Sequence, residues 1–218
     1  MAFMAINIAV FLWMTVKGGG GGGGSVTQAH QDLGLWAPFL KFDGEWYRLV
    51  TSGFVHFGII HLAFNMFAIY QLGQMVERAM PHAQFALLYF ASMLGGSLGA
   101  LLVEGTNPSL TAGASGAVFG LLGAAAIGMH RRGINIFSTG IGTALMLNLV
   151  LTFSISGISI GGHLGGLAAG AICGFVMLAP HQHQTPKWAG YAVPIAVSVV
   201  CVVASVLFVK TLDFGAVR

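Results

Sequence analysis

The sequence predicts an all-α protein, a polytopic bundle of membrane-spanning helices, on three observations. Hydrophobic residues make up 56% of the 218 residues and charged residues only 7%, where a soluble domain carries roughly 25% charged residues. The mean hydropathy is +0.84. The apolar residues fall in seven runs, at 2–16, 55–76, 83–104, 114–130, 134–153, 158–179 and 189–210, divided by short polar connections. About 20 apolar residues in helix suffice to cross a hydrocarbon core of ~30 Å.

The first run, Ala2 to Val16, gives only about 22 Å of helix, so it is expected to continue into the following loop or to be preceded by further sequence. It has no basic leader and no small-residue cleavage site, so a cleaved signal peptide is not expected. Seven glycines follow, Gly18 to Gly24, a flexible low-complexity tract. In the remaining first loop Trp36, Phe39, Phe42, Trp46 and Tyr47 alternate with Lys41, Asp43, Glu45 and Arg48. Aromatics interleaved with charge suit the headgroup layer, so this loop is expected to lie in the interface. The expected division is thus 1–17 for a first spanning helix, 18–54 for the glycine tract and interfacial loop, 55–179 for a five-helix core, and 180–218 for a seventh helix and tail.

Orientation follows from the basic residues. The connections after the second, fourth and sixth runs carry Arg78, Arg131, Arg132 and Lys187, and those after the third and fifth carry none. The positive-inside rule then puts the N-terminus in and the C-terminus out. Spans two, four and six all begin at the outer face and run parallel. The net charge of +3 and pI near 9.1 do not indicate nucleic acid, because the cations are scattered singly. Cys173 and Cys201 sit in apolar runs and form neither a zinc spacing nor a disulfide framework.

Polar groups inside a bilayer cost several kcal/mol and are functional candidates for that reason. All six acidic residues lie in loops or at span ends. Within the spans stand His56, His61 and Asn65 in the second, Ser115 in the fourth, Asn148 in the fifth and His163 in the sixth. His61 and Asn65 share a helical face. Ser115, His163 and this pair fall within roughly 10 Å of the outer ends of three parallel helices at 1.5 Å per residue. Two ridges of small residues can bring the helices together: Gly116, Gly120, Ala124 and Gly128 in the fourth span, Gly162, Gly166, Gly170 and Gly174 in the sixth. Ser115 adjoins the first glycine of one ridge and His163 the first of the other.

Serine is a weak nucleophile until a base takes its proton, and neutral histidine is the usual base. With no carboxylate at that depth the pair must work as a dyad of Ser115 and His163 rather than a triad. Donors for an oxyanion are available from the Ser115 backbone N–H at a helix start and from His61 and Asn65. Blander readings exist for each residue alone: a serine bonded to its own backbone, a packing histidine, an asparagine joining helices. Their common depth and the two ridges favour the chemical reading. His56, His61 and His163 also permit a three-histidine metal site, but no H-E-x-x-H motif and no basic carboxylate accompany it. No metal or cofactor is expected. A transporter or channel would require internal repeats, and none is found.

These residues resemble the rhomboid family of intramembrane serine proteases, in family order and spacing from about Glu45 to Gly174. Glu45-Trp46-Tyr47-Arg48 resembles the first-loop E-x-[aromatic]-R signature. His56, then His61-Leu62-Ala63-Phe64-Asn65-Met66 and Gly73, resembles the second core helix. Gly113-Ala114-Ser115-Gly116 resembles the G-x-S-G nucleophile motif, and Gly162-His163-Leu164-Gly165-Gly166 the histidine motif, with Gly162 where alanine is frequent. The resemblance implies six core helices plus a seventh, with Ser115 at the foot of an outward-open cavity. It implies Ser115 as nucleophile, His163 as base, His61 and Asn65 as oxyanion donors, Gly113 shaping the turn, Glu45 and Arg48 bracing the first loop, and a supporting role for His56. It implies single-pass transmembrane proteins as substrates, entering past the fifth span, and a bacterial plasma membrane as location, with lipid as solvent. The alternative is an inactive relative that binds membrane clients; such relatives lose the serine or the histidine, and this chain keeps both.

Overall fold

The computed structural model describes residues 1–18, 26–105, 109–179 and 185–214. Glycines 19–24 of the tract, expected to be flexible, lie outside the described residues. Ten α-helices are present among the described residues: α1 (Ala2–Gly18), α2 (Gln28–Leu33), α3 (Ala37–Phe42), α4 (Arg48–Thr51), α5 (Ile59–Glu77), α6 (His82–Glu104), α7 (Ser115–His130), α8 (Ile141–Ser154), α9 (Ile160–Met177) and α10 (Ala189–Thr211). One isolated antiparallel bridge joins Leu35 to Thr111. Helices α5, α6, α9 and α10 are long and apolar enough to cross a membrane, while α1, α7 and α8 are apolar but shorter.

The seven expected runs correspond to the seven apolar helices, with two differences. The second begins at Ile59, because Val55 is extended and Gly58 precedes the first helical residue. His56 therefore lies in the turn before α5 and not within a span. The fifth run breaks after the short 3-10 turn Ile136–Ser138, which Thr139 closes, and Gly140, with a φ of 78°, leads into α8.

Where lipid is as apolar as the side chains, helices associate through close packing. Helix α6 is the centre of the bundle, with buried residues around its circumference from Phe85 to Leu101. Helix α9 packs on two neighbours through two glycine faces. On one, a Cβ at Gly170 would lie within van der Waals overlap of Gly120, and one at Gly174 would fall 2.5 Å from the Ala124 Cα. Contacts advancing together along α7 and α9 mean that these helices are parallel, as the charge pattern predicts. On the other face, Gly161 and Gly165 meet Gly99 and Gly95 of α6 in reversed order, so α6 and α9 are antiparallel. The serine and histidine helices are thus held at backbone contact, which limits how far their N-terminal ends can separate.

The first loop is folded onto the bundle. Leu35, Ala37, Leu40 and Leu49 share a buried cluster with Leu94, Leu101, Cys201 and Val209. Arg48 is 2% exposed; it pairs with Glu45, donates to the carbonyls of Gln31 and Gly34, and stacks on Phe39. Ser97 of α6 donates to the Leu49 carbonyl at 2.8 Å, and Lys41 donates to the Leu212 carbonyl. On the opposite side Asn7, fully buried in α1, contacts the Tyr89 hydroxyl at 3.4 Å, and Phe3 stacks on Tyr89 at 3.9 Å. Asn7 is a buried polar group that the sequence census overlooked.

Candidate active site

Ser115 is the first residue of α7, so its backbone N–H has no partner within the helix. The turn that delivers it is set by Gly113, whose φ of 136° suits glycine. The Gly113 N–H donates to the Ser52 carbonyl at 2.9 Å, fixing the turn to the first loop. A Cβ at Gly113 would lie 2.8 Å from both Cε1 and Nε2 of His61 and 3.7 Å from the Ser115 hydroxyl oxygen. The glycine is therefore needed twice, for its φ and for the space that the imidazole edge and the hydroxyl both border.

His61 stands near the start of α5 with its ring 5.0 Å from that of His56 and parallel to Phe57. Asn65, one turn on, is buried and donates to the His61 carbonyl at 3.0 Å. One of its two amide hydrogens is thereby used, and the other remains.

His56, 1% exposed, accepts from the Ala114 N–H at a long 3.5 Å. Its carbonyl receives His30 Nε2 at 3.0 Å. The direction of that bond is fixed locally: the Thr27 N–H donates to His30 Nδ1 at 3.0 Å, so the ring proton of His30 must be on Nε2. A chain from Thr27 through His30 and His56 to Ala114 thus ties the first loop to the residue before Ser115. His30 was not among the sequence candidates, because it lies in a loop without an apolar run to make it conspicuous.

His163 is the fourth residue of α9 and is 9% exposed. Its ring stacks on Phe119 with centroids 4.0 Å apart and planes at 19°. Phe119 lies one helical turn after Ser115, so serine and histidine flank the same stretch of α7. No hydrogen bond joins Ser115 to His163 among the described residues. His163 Nδ1 instead lies 2.7 Å from the hydroxyl of Thr152 in α8. The sequence reading missed Thr152 and Phe119. The available signal was that Thr152, near the end of α8 and one turn beyond Asn148, falls at the same level of the bundle as His163 near the start of α9.

The entry to α9 is clamped by Glu104, the last residue of α6. Its carboxylate accepts from the Gly161 N–H at 3.0 Å and from the Ser159 hydroxyl at 2.6 Å. The Ser159 oxygen in turn accepts from the Gly162 N–H at 2.9 Å. Two free N–H groups at the start of the histidine helix are satisfied, and the carboxylate sits where the helix dipole favours negative charge. Glu45 and Arg48 lie in the first loop, and the hydrogen bonds, ion pair and ring contacts of the Arg48 guanidinium are made within that loop.

These groups provide a hydroxyl at a helix start, an oriented imidazole on the adjoining parallel helix, and N–H donors around a glycine-lined space, the set that acyl transfer requires. A family model described as the Rhomboid domain matches residues 43–180. The chain is 35% identical over 171 residues to Rhomboid protease GluP of Bacillus subtilis (strain 168), covering 77% of this chain and 32% of that protein. It is 36% identical over 150 residues to RHOMBOID-like protein 4 of Arabidopsis thaliana, covering 65% of this chain and 36% of that protein. With Rhomboid-like protease 1 of Toxoplasma gondii it shares 32% identity over 181 residues, covering 78% and 60% of the respective chains. The chain thus spans about a third of the length of the first two relatives.

Proposed function

This chain belongs to the rhomboid family and is a multi-pass membrane protein, and we propose on that premise that it is an intramembrane serine endopeptidase. The observation that carries the reading is the space at Gly113, bordered by His61 Nε2 and the Ser115 hydroxyl. A scissile carbonyl entering there meets a nucleophile and an N–H donor together.

In the proposed reaction the Ser115 oxygen attacks the carbonyl carbon while His163 Nε2 takes the hydroxyl proton. The oxyanion is held by the Ser115 N–H, His61 and the remaining Asn65 hydrogen. The C–N bond then breaks, and the departing amine takes the proton from His163. Water attacks the resulting ester with His163 again as base, releasing the acid and restoring Ser115. The hydroxyl and imidazole must close to hydrogen-bond distance during the cycle. Bonds of this kind are frequently loose without substrate.

The substrates are membrane proteins cut in or near a single transmembrane segment rich in small or helix-breaking residues. The site opens to the outer face of a bacterial plasma membrane, with the N-terminus on the cytoplasmic side, as the distribution of Arg78, Arg131, Arg132 and Lys187 favours. His56 supports the turn before Ser115, while Glu45 and Arg48 brace the first loop.

The test is labelling by a fluorophosphonate serine probe in detergent, with cleavage of a model transmembrane substrate alongside. Wild type is expected to be labelled and to cut, and Ser115→Ala to do neither. A wild type inert in both assays overturns the protease reading in favour of a client-binding role.

A further inference from the structure

Helix α8 is the least embedded of the five helices from α5 to α9. Only Ile141, Gly142 and Thr152 are buried along it, and in its outer half Leu151 is 41% and Phe153 62% exposed. Thr152, at 1% exposure, is turned inward between them. A threonine in a membrane helix ordinarily satisfies itself on the carbonyl four residues back. Thr152 does so, donating to the Asn148 carbonyl at 2.6 Å. That local bond decides what happens at the hydroxyl's other partner.

A hydroxyl has one hydrogen to give and lone pairs with which to accept, while a carbonyl oxygen can only accept. With the Thr152 hydrogen committed to Asn148, the contact of 2.7 Å to His163 Nδ1 requires the ring to donate. Nδ1 then carries the proton, and Nε2 keeps the lone pair. We propose that Thr152 is a positioning residue for His163, its hydroxyl fixing the Nδ1–H tautomer and thereby leaving Nε2 as the base for Ser115. Phe119 fixes the plane of the ring, and Thr152 fixes its rotation and its proton. The role that a carboxylate plays in a triad is here taken by a neutral hydroxyl from the fifth spanning helix, polarised by its own bond to a backbone carbonyl. The functional part of this inference rests on the protease reading, and the geometric part stands apart from it.

The experiment combines kinetics with the tautomer itself, on the full chain in detergent. 15N-histidine chemical shifts in alkaline buffer distinguish Nδ1–H from Nε2–H, and the His163 signal is identified by its loss in His163→Ala. Wild type is expected to show Nδ1–H, Thr152→Val to lose that preference, and Thr152→Ser to keep it. For a model substrate Thr152→Val should lower kcat by about 10–100-fold, the scale on which loss of an outer hydrogen-bond partner affects a metal-bound histidine, with KM unchanged. Thr152→Ser should restore most of the rate. A wild type in the Nε2–H form, or a valine variant with unaltered tautomer and kcat, overturns the inference while leaving the protease reading intact. A wild type that neither cuts nor takes the probe overturns the protease reading instead, and the tautomer still decides whether Thr152 sets the ring. The wild-type spectrum alone suffices if the valine variant does not fold.

Discussion

Gly166 of the histidine helix lies directly on Gly116 of the serine helix: a Cβ added to Gly166 would stand 3.0 Å from the Gly116 Cα and closer still to its carbonyl. Each glycine is within three residues of a proposed reacting group, so the contact that builds the bundle also sets the spacing of the site. Backbone lies on both sides, and neither helix can relieve an intruding side chain by a rotamer change. Gly166→Val should destabilise the fold by about 1–3 kcal/mol, the usual range for overpacking a filled interior. Thermal unfolding in detergent and probe labelling at Ser115 should both fall. A variant with wild-type melting and labelling would mean that α7 and α9 do not meet there.

Gly113 makes a sharper test of the site because its neighbours are the proposed reacting groups. Gly113→Ala combines an unfavourable φ of 136° with a methyl group 2.8 Å from the His61 imidazole. His61→Ala and Asn65→Ala remove donors without adding bulk. Loss of one oxyanion donor typically costs 10²–10³ in turnover, so each variant should lose about 10- to 10³-fold in kcat. Turnover equal to wild type in both alanine variants would remove His61 and Asn65 from the oxyanion site.

Arg48 concerns the loop and not the chemistry. Its guanidinium reaches Glu45, two carbonyls and the face of Phe39 at once, a planar fork that lysine cannot reproduce. Arg48→Lys should lower stability by about 1.5–3 kcal/mol, the scale of a hydrogen bond to a charged group. The readout is the melting temperature. Proteolytic nicking of residues 26–54 should rise with it, since unpinning the loop exposes its backbone. An unchanged melting temperature would show that Glu45 and Phe39 hold the loop without the fork.

What could be read from the sequence divides along physical lines. The seven apolar helices are legible as apolar runs, and Ser115, His61, Asn65 and His163 stand out as candidates because a polar group in an apolar run is conspicuous against its cost. The α7–α9 contact was legible because glycine every fourth residue has no other obvious use. The second glycine face of α9, Gly161 and Gly165 against Gly99 and Gly95, was hidden by the first, since adjacent glycines do not say which belongs to which partner. Thr152 was hidden because a threonine bonded to its own helix is ordinary in a membrane span. His56 was misplaced into a span because Val55 to Ile60 is apolar enough to continue the run, and only the extended backbone at Val55 and the turn at Gly58 break it. His30 needed the folded loop to become visible at all.

Glu104 reaches the helix carrying His163, and it acts on the helix start rather than on the ring. Its two oxygens accept from the Gly161 N–H and the Ser159 hydroxyl, so it caps α9 from outside while Ser159 caps it from within. Glu104→Gln keeps one acceptor oxygen and loses the charge at the helix N-terminus, which is worth about 0.3–1 kcal/mol. Glu104→Ala leaves the Gly161 N–H without a partner and should cost about 1–3 kcal/mol. The two variants should therefore melt in the order wild type, glutamine, alanine. Because His163 sits only two residues beyond Gly161, fraying of this turn should slow probe labelling in the same order. If alanine melts below wild type yet labels at the same rate, the cap serves the fold alone, and the position of His163 is held by Phe119 and its partner on α8.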